Sequence, residues 1–169
     1  MAMNSIEQLC PNCGLCCDST LFADVELRAG DDAKRLKKLG LTLFSKTKTR
    51  LAFVQPCACF DGKLCRIYAD RPNRCRKFDC GLLKRVEAGE LTAKAALKKI
   101  SAAKIQAENV RALLRLLGQH DEQMALTHRY AGAMSAPIDL SDEGSADRHG
   151  ELMLAVNDLM MRLERDFLR

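Results

Sequence analysis

Nine cysteines, Cys10, Cys13, Cys16, Cys17, Cys57, Cys59, Cys65, Cys75 and Cys80, lie in the first 80 residues of this 169-residue chain, and the other 89 residues hold none. A stretch with about 11% cysteine is one that covalent bridges or bound metal hold together, rather than an apolar core alone. The opening residues Met1–Leu9 carry Glu7 and no basic patch leading into an apolar segment. No secretory signal is therefore expected, and a cytoplasmic location is. Disulfides do not persist in a reducing cytosol, and an odd number of cysteines would strand one thiol, so metal is the favoured reading. The longest apolar run, Leu152–Val156, is five residues, far short of a membrane span. Tryptophan is absent and aromatics make up 5%, which argues against a large aromatic core or a base-stacking surface.

The charge divides at about the same place. Residues 1–90 hold 16 Lys and Arg against 11 Asp and Glu, and residues 91–169 hold 11 of each. All the net positive charge sits with the cysteines, where it would offset metal-bound thiolates. A nucleic-acid surface is therefore not favoured, despite a pI near 8.8.

The spacing predicts a mainly α protein of about one domain's length. An irregular cysteine-rich half with a few short strands (residues 1–90) is expected to pack on a helical half of about three helices (residues 91–169). Met1–Gln8 is expected as a lead-in or one helical turn, and Cys10–Cys17 as a wrapped loop. Thr20–Leu27 should be extended. Asp31 or Asp32 should cap a helix that ends at Leu39 and Gly40. Leu41–Phe44 and Leu51–Val54 should pair as short strands, and Pro72 should open a helix carrying Cys75. Thr92 is an N-cap candidate for a long helix. Its apolar positions Ala96, Ile100, Ala103, Ala107, Val110, Leu114 and Leu117 form one stripe closed by Gly118. A shorter helix over Asp121–Ala131 is expected, then a loop over Pro137–Gly144. The last helix, about Ala146–Leu168, would bury Leu152, Val156, Leu159, Leu163 and Phe167. Met153, Met160 and Met161 are expected as core fillers. The stripes should pack within the molecule, with a protein partner or a homodimer through the helical half as the alternative.

Cys10-Pro-Asn-Cys13-Gly-Leu-Cys16-Cys17 is a C-x2-C-x2-C-C run. A C-x2-C pair turns two thiolates onto one centre, and Gly14 lets the backbone bend there, with a positive φ open to it. The first three cysteines also match the spacing of bacterial ferredoxin loops. Adjacent side chains point apart, so Cys16 and Cys17 should serve different centres unless one faces outward. Cys57, Cys59, Cys65, Cys75 and Cys80 would complete one or two four-thiolate sites, with one of nine cysteines spare. All three histidines lie in the helical half, where exposed or core roles are expected. An all-sulfur donor set suits Zn2+ or an iron–sulfur cluster and not calcium or magnesium.

The run Cys10–Phe22, with Cys65-Arg-Ile-Tyr-Ala-Asp-Arg-Pro-Asn-Arg-Cys75-Arg-Lys-Phe-Asp-Cys80, resembles the YkgJ-type CxxCxxCC cysteine-cluster family of zinc- or iron-chelating proteins over about residues 8–88. The resemblance implies Cys10, Cys13, Cys16, Cys17, Cys57, Cys65, Cys75 and Cys80 as metal ligands and leaves Cys59 spare. One branch of that family is similar to flagellin lysine N-methylases, whose cysteines hold a [4Fe–4S] cluster beside S-adenosylmethionine. This chain is far shorter than those enzymes and lacks their radical relatives' C-x3-C-x2-C run.

Around the second motif, Asp18, Tyr68, Asp70, Arg71, Arg74 and Arg76 are candidates to surround the sulfurs and tune them by hydrogen bonds. The arginines could instead form an anion or carboxylate pocket, or Asp70 could pair with Arg71 or Arg74 to tie the loop. For Asp18, a loop-capping role is favoured over ligand or base. The expected function is metal binding, through a [4Fe–4S] cluster used in redox or protein-modification chemistry. The alternative is Zn2+ in a structural interaction module, or a metal carrier or sensor without catalysis.

Overall fold

The computed structural model describes residues 5–139 and 141–169, with seven α-helices and one three-stranded sheet among them. In chain order these are α1 (Ser5–Cys13), β1 (Asp24–Glu26), α2 (Ala33–Lys38), β2 (Leu43–Thr47), β3 (Arg50–Val54), α3 (Asn73–Arg76), α4 (Gly81–Glu87), α5 (Ala93–Leu116), α6 (Leu126–Ser135) and α7 (Ser145–Leu163). A 3-10 turn, Tyr68–Asp70, precedes α3, and a π-helical turn, Glu164–Leu168, closes α7. The fold is mainly helical with a few short strands, as the sequence predicts.

Thr92 starts α5 by accepting the Ala95 amide on its hydroxyl at 3.2 Å, which satisfies one of the donors a helix start leaves unpaired. The stripe Ala96, Ile100, Ala103, Ala107, Val110 and Leu114 is buried throughout. Leu117 is half-buried, and Gly118 takes the positive φ (+78°) that ends the helix. Alanines at three stripe positions let neighbouring backbones come close. α7 packs there, as do α1, α4 and α6. Leu9 and Leu15 from the first cysteine segment, and Leu82 and Leu83 of α4, join this same core.

The sheet runs β1-β3-β2, antiparallel throughout. Val25 and Leu43 both stand opposite Phe53. Val25, Phe53, Leu36 of α2, Leu41 and Ile67 form a second core, and Cys57 and Cys59 are buried within it. Asp32 caps α2 through the Arg35 amide (3.0 Å), as its position suggests.

Four local expectations are corrected. Cys10 and Cys13 lie in α1, not in a loop, although Pro11 sits inside the helix. Docking of α1 on α5 and burial of Leu9 and Leu15 outweigh the proline's missing N–H. The strands are longer than predicted at the turn, so that only Lys48 and Thr49 connect β2 to β3. The helix expected from Asp121 begins at Leu126, because the Asp121 carboxylate accepts the Gln123 amide (3.0 Å) and its carbonyl the Met124 amide (3.2 Å), holding a local turn. Met153, Met160 and Met161 are exposed, not core, since Leu152, Ala155, Leu159 and Leu163 take the inward face of α7. Met1–Asn4 of the expected lead-in, and Leu140 of the expected loop, lie outside the described residues. No helix among the described residues is long and apolar enough to cross a membrane.

Asp166 ties the ends of the helical core together. It is 1% exposed and meets Lys99 Nζ at 2.8 Å, Arg165 at 2.9 Å and Arg85 at 3.5 Å. Burial pushes its carboxyl up, but Arg165 and Lys99 outweigh that and hold it at about 2. A carboxyl held below its unfolded value stabilises the fold above about pH 4, and that contribution, on the order of 2 kcal/mol, is lost as pH falls toward 2. Thermal unfolding followed from pH 6 to pH 2 should show a steeper loss for the native chain than for Asp166→Asn, which should be the less stable at neutral pH and flatter in the acid limb.

Candidate metal centre

The first thiol segment is a helix end followed by a forced turn. α1 stops at Cys13, and Gly14 takes φ +75° with the Phe60 ring against it, so that a Cβ there would stand 2.6 Å from Phe60 Cζ. Both the backbone angle and the space require glycine. The turn closes as the Cys17 and Asp18 amides donate to the Gly14 carbonyl at 2.7 and 3.0 Å. Leu15 goes fully into the helical core, which carries Cys16 and Cys17 past the first core and toward the second. The Cys57 amide donates to the Cys17 carbonyl at 2.8 Å, so the two cysteine segments are joined at the backbone.

The loop beyond Cys17 is pinned to the helices. Asp18 Oδ1 accepts the Thr20 amide at 2.9 Å, and Oδ2 pairs with Arg111 of α5 at 3.1 Å. Arg111 also donates to the Asp18 carbonyl (3.1 Å) and Thr20 Oγ (2.9 Å). Ser19, buried at φ +71°, accepts the Leu126 amide on its hydroxyl at 3.2 Å.

In the second segment, Asp61 Oδ1 accepts the amides of Lys63 (2.9 Å) and Leu64 (2.7 Å). This turn folds Cys65 back, with a bridge between Phe60 and Cys65, and the Arg66 amide donates to the Cys59 carbonyl at 2.8 Å. Cys75 rides on α3, whose Asn73 amide donates to Asp31 Oδ1 at 2.8 Å, and Cys80 is the N-cap residue of α4.

The thiols act on one another in two sets. Burial pushes Cys10 up, Cys80 adds to the rise, and Arg71 opposes it. Cys13 is pushed by burial up to about 12, with Cys80 and Cys10 adding. Burial also raises Cys16, with contributions from Cys13, Cys17, Cys80 and Cys10. Cys17 is raised by burial and then by Cys57, Cys75 and Cys65. Cys75, at about 12 from burial, is raised further by Cys57 and Cys65 and lowered by Arg71. Cys57, pushed by burial up to about 11, is raised further by Cys59 and Cys65. These influences fall mainly within two groups, Cys10, Cys13, Cys16 and Cys80 in one and Cys17, Cys57, Cys59, Cys65 and Cys75 in the other, with Cys16 raised by Cys17 as well. The Cys16–Cys17 peptide is where they meet. Cys13 and Cys80 pack against the helical core; Cys17, Cys65 and Cys75 pack against the second. Cys59 is 0% exposed, and its thiol donates to the Leu39 carbonyl at 3.3 Å.

Seven of the nine cysteines, all but Cys57 and Cys59, line one cavity of about 570 Å³ between the two cores. Among the described residues, no three His, Cys, Asp or Glu side chains form a ready-made site for a metal ion. The donor chemistry itself suits soft metal: the cysteines are partly or fully buried and supply sulfur alone.

The surrounding residues mostly brace backbone. Asp70 pairs with Arg35 of α2, not with Arg71 or Arg74, because the 3-10 turn points it across the loop to α2. Arg71 donates to the Tyr68 carbonyl at 2.9 Å and lies over the Tyr68 ring, 3.6 Å from its centroid. Arg76 donates to the carbonyls of Ala69 (3.2 Å) and Arg71 (3.0 Å). Asp18 caps its loop. His120 and His128 are exposed; His149 is buried, with Nδ1 2.8 Å from the Ser145 carbonyl oxygen. Sequence reasoning missed Arg111, Ser19 and Phe60. The one available signal was a cation at position 111, directly beside the apolar stripe of α5.

A family model, CxxCxxCC, described as "Putative zinc- or iron-chelating domain", matches residues 9–110, more than half of the chain. No curated protein and no solved structure matches it.

Gly14→Ala should cost more stability than Gly62→Ala. Both have positive φ (+75° and +92°), but nothing lies within 4 Å of a Cβ at 62. The backbone strain common to both is about 1–3 kcal/mol, and the excess at 14 reports the Phe60 contact. Denaturant unfolding of Gly14→Ala with and without Phe60→Ala should show the second change recovering that excess.

Proposed function

Because the chain belongs to the CxxCxxCC family, we propose that it is a metal-binding protein with two four-thiolate sites, Cys10/Cys13/Cys16/Cys80 and Cys17/Cys57/Cys65/Cys75, and that each takes an iron–sulfur cluster. The observation that carries the reading is the grouping of the thiols, Cys10, Cys13, Cys16 and Cys80 on one side and Cys17, Cys57, Cys59, Cys65 and Cys75 on the other; setting aside Cys59, whose thiol is engaged by the Leu39 carbonyl, leaves four and four. A single tetrahedral ion draws its sulfurs to about 2.3 Å from itself. A cubane instead gives each of its four thiolates its own iron, and the first three cysteines keep the spacing of ferredoxin loops.

A bound cluster would supply one-electron chemistry for redox or protein modification. The chain's own part is to hold and shield it. Burial keeps the empty thiols protonated, so loading metal drives their protons off. Arg71 acts on Cys10 of one set and Cys75 of the other, and so offsets thiolate charge at both. Structural zinc is the second reading. It is favoured by how little regular structure the 57–80 segment contains, with one short turn and a four-residue helix, since bound zinc can hold such a segment folded.

Anaerobic purification followed by iron, sulfide and zinc analysis tests this. Brown protein with broad visible absorption and iron matched by sulfide supports clusters; colourless protein with two zinc ions moves the assignment to the second reading; metal-free protein overturns both. Cys13→Ser and Cys75→Ser should each remove about half of the metal, one site at a time, and the double variant nearly all of it. Cys59→Ser should leave the metal content unchanged; a loss equal to that of the other two would make Cys59 a ligand.

A further inference from the structure

The cavity between the cores is not lined by sulfur alone. Its two carboxylates are already engaged: Asp24 with Lys46 at 2.7 Å, and Glu26 with Lys46 at 3.4 Å and Arg50 at 3.3 Å. Arg71 is committed to the Tyr68 ring and carbonyl and acts on the thiols. That leaves Arg28, Lys63 and Arg74, all exposed and all on the lining. Among the described residues none of the three pairs with a carboxylate, and none is a leading influence on any thiol. Phe22 and Phe78, both half-buried, meet edge to face with centroids 5.1 Å apart and line the same space. A volume of about 570 Å³ falls in the range of small-molecule sites, roughly 300–1,000 Å³, which lie by preference between packed units and combine an apolar wall with a few polar anchors.

We propose that this cavity binds a small organic anion, with a phosphate or carboxylate head held by Arg28, Lys63 and Arg74 and an apolar body against Phe22 and Phe78. The cations give the head charge-assisted hydrogen bonds at the rim. The aromatic pair gives the body an apolar wall out of water. The site adjoins the proposed metal sites but does not need their metal.

Calorimetric titration of the as-purified full chain with phenyl phosphate, phenylacetate, phenol and inorganic phosphate tests the proposal, with metal content measured on the same samples. One of the two aryl anions should bind at least about tenfold more tightly than phenol or inorganic phosphate, the scale of one charge-assisted contact. The preference between the two fixes the head group. The triple variant Arg28→Ala/Lys63→Ala/Arg74→Ala should weaken that binding about tenfold or more with metal content unchanged, and Lys104→Ala, an exposed cation on α5 away from the cavity, should leave it as it was. Equal binding by the triple variant and the native chain, or no preference for the aryl anions, would overturn the proposal. Aryl-anion binding by protein that carries no metal when purified anaerobically would leave this proposal standing and sink the metal reading alone.

Discussion

Neighbouring residues on an extended or turning backbone project their side chains apart. Cys16 and Cys17 meet that constraint at the joint between two apolar cores. The helical core lies on one side, with Leu15 buried in it. The smaller core lies on the other, and Cys17 packs on it. Cys13 and Cys80 pack on the first core, and Cys17, Cys65 and Cys75 pack on the second, beside the buried Cys57 and Cys59. The Cys17 carbonyl, accepting the Cys57 amide, carries the same joint into the second cysteine segment.

The helices do more than fill space behind this joint. Arg111 reaches from α5 to Asp18 and Thr20, and the start of α6 bonds to Ser19. Both contacts fall within three residues of Cys17. The loop that leaves Cys17 is thus fixed by the helices. A buried serine with positive φ is costly by itself, and here the hydrogen bond to Leu126 holds it in place.

What could be read from the sequence depended on whether the information was local. The long helix was legible because Thr92, the apolar stripe and Gly118 each act within a turn or two of themselves. Adjacency alone suggests different centres for Cys16 and Cys17 unless one faces outward; burial raises both thiols, with Cys13 foremost among the charges acting on Cys16 and Cys57 among those acting on Cys17. The partner of Asp70 was not legible, since Arg35 lies 35 residues away and is brought near only by the fold. Arg111 with Asp18, and Ser19 with Leu126, were hidden for the same reason, at separations of 93 and 107 residues. The helical state of Cys10–Cys13 was misread because proline and cysteine density argued locally for a loop, while docking on α5 decided otherwise. The choice of eight cysteines as ligands rested on family resemblance, while which thiols lie near one another could be read only from the folded arrangement.

Arg71 opposes the burial that raises Cys10 and Cys75, while its side chain rests on the Tyr68 ring and carbonyl. One guanidinium anchored on the loop thus reaches thiols from both ends of the cysteine-rich stretch, and a change at its Tyr68 contact would be felt by both together.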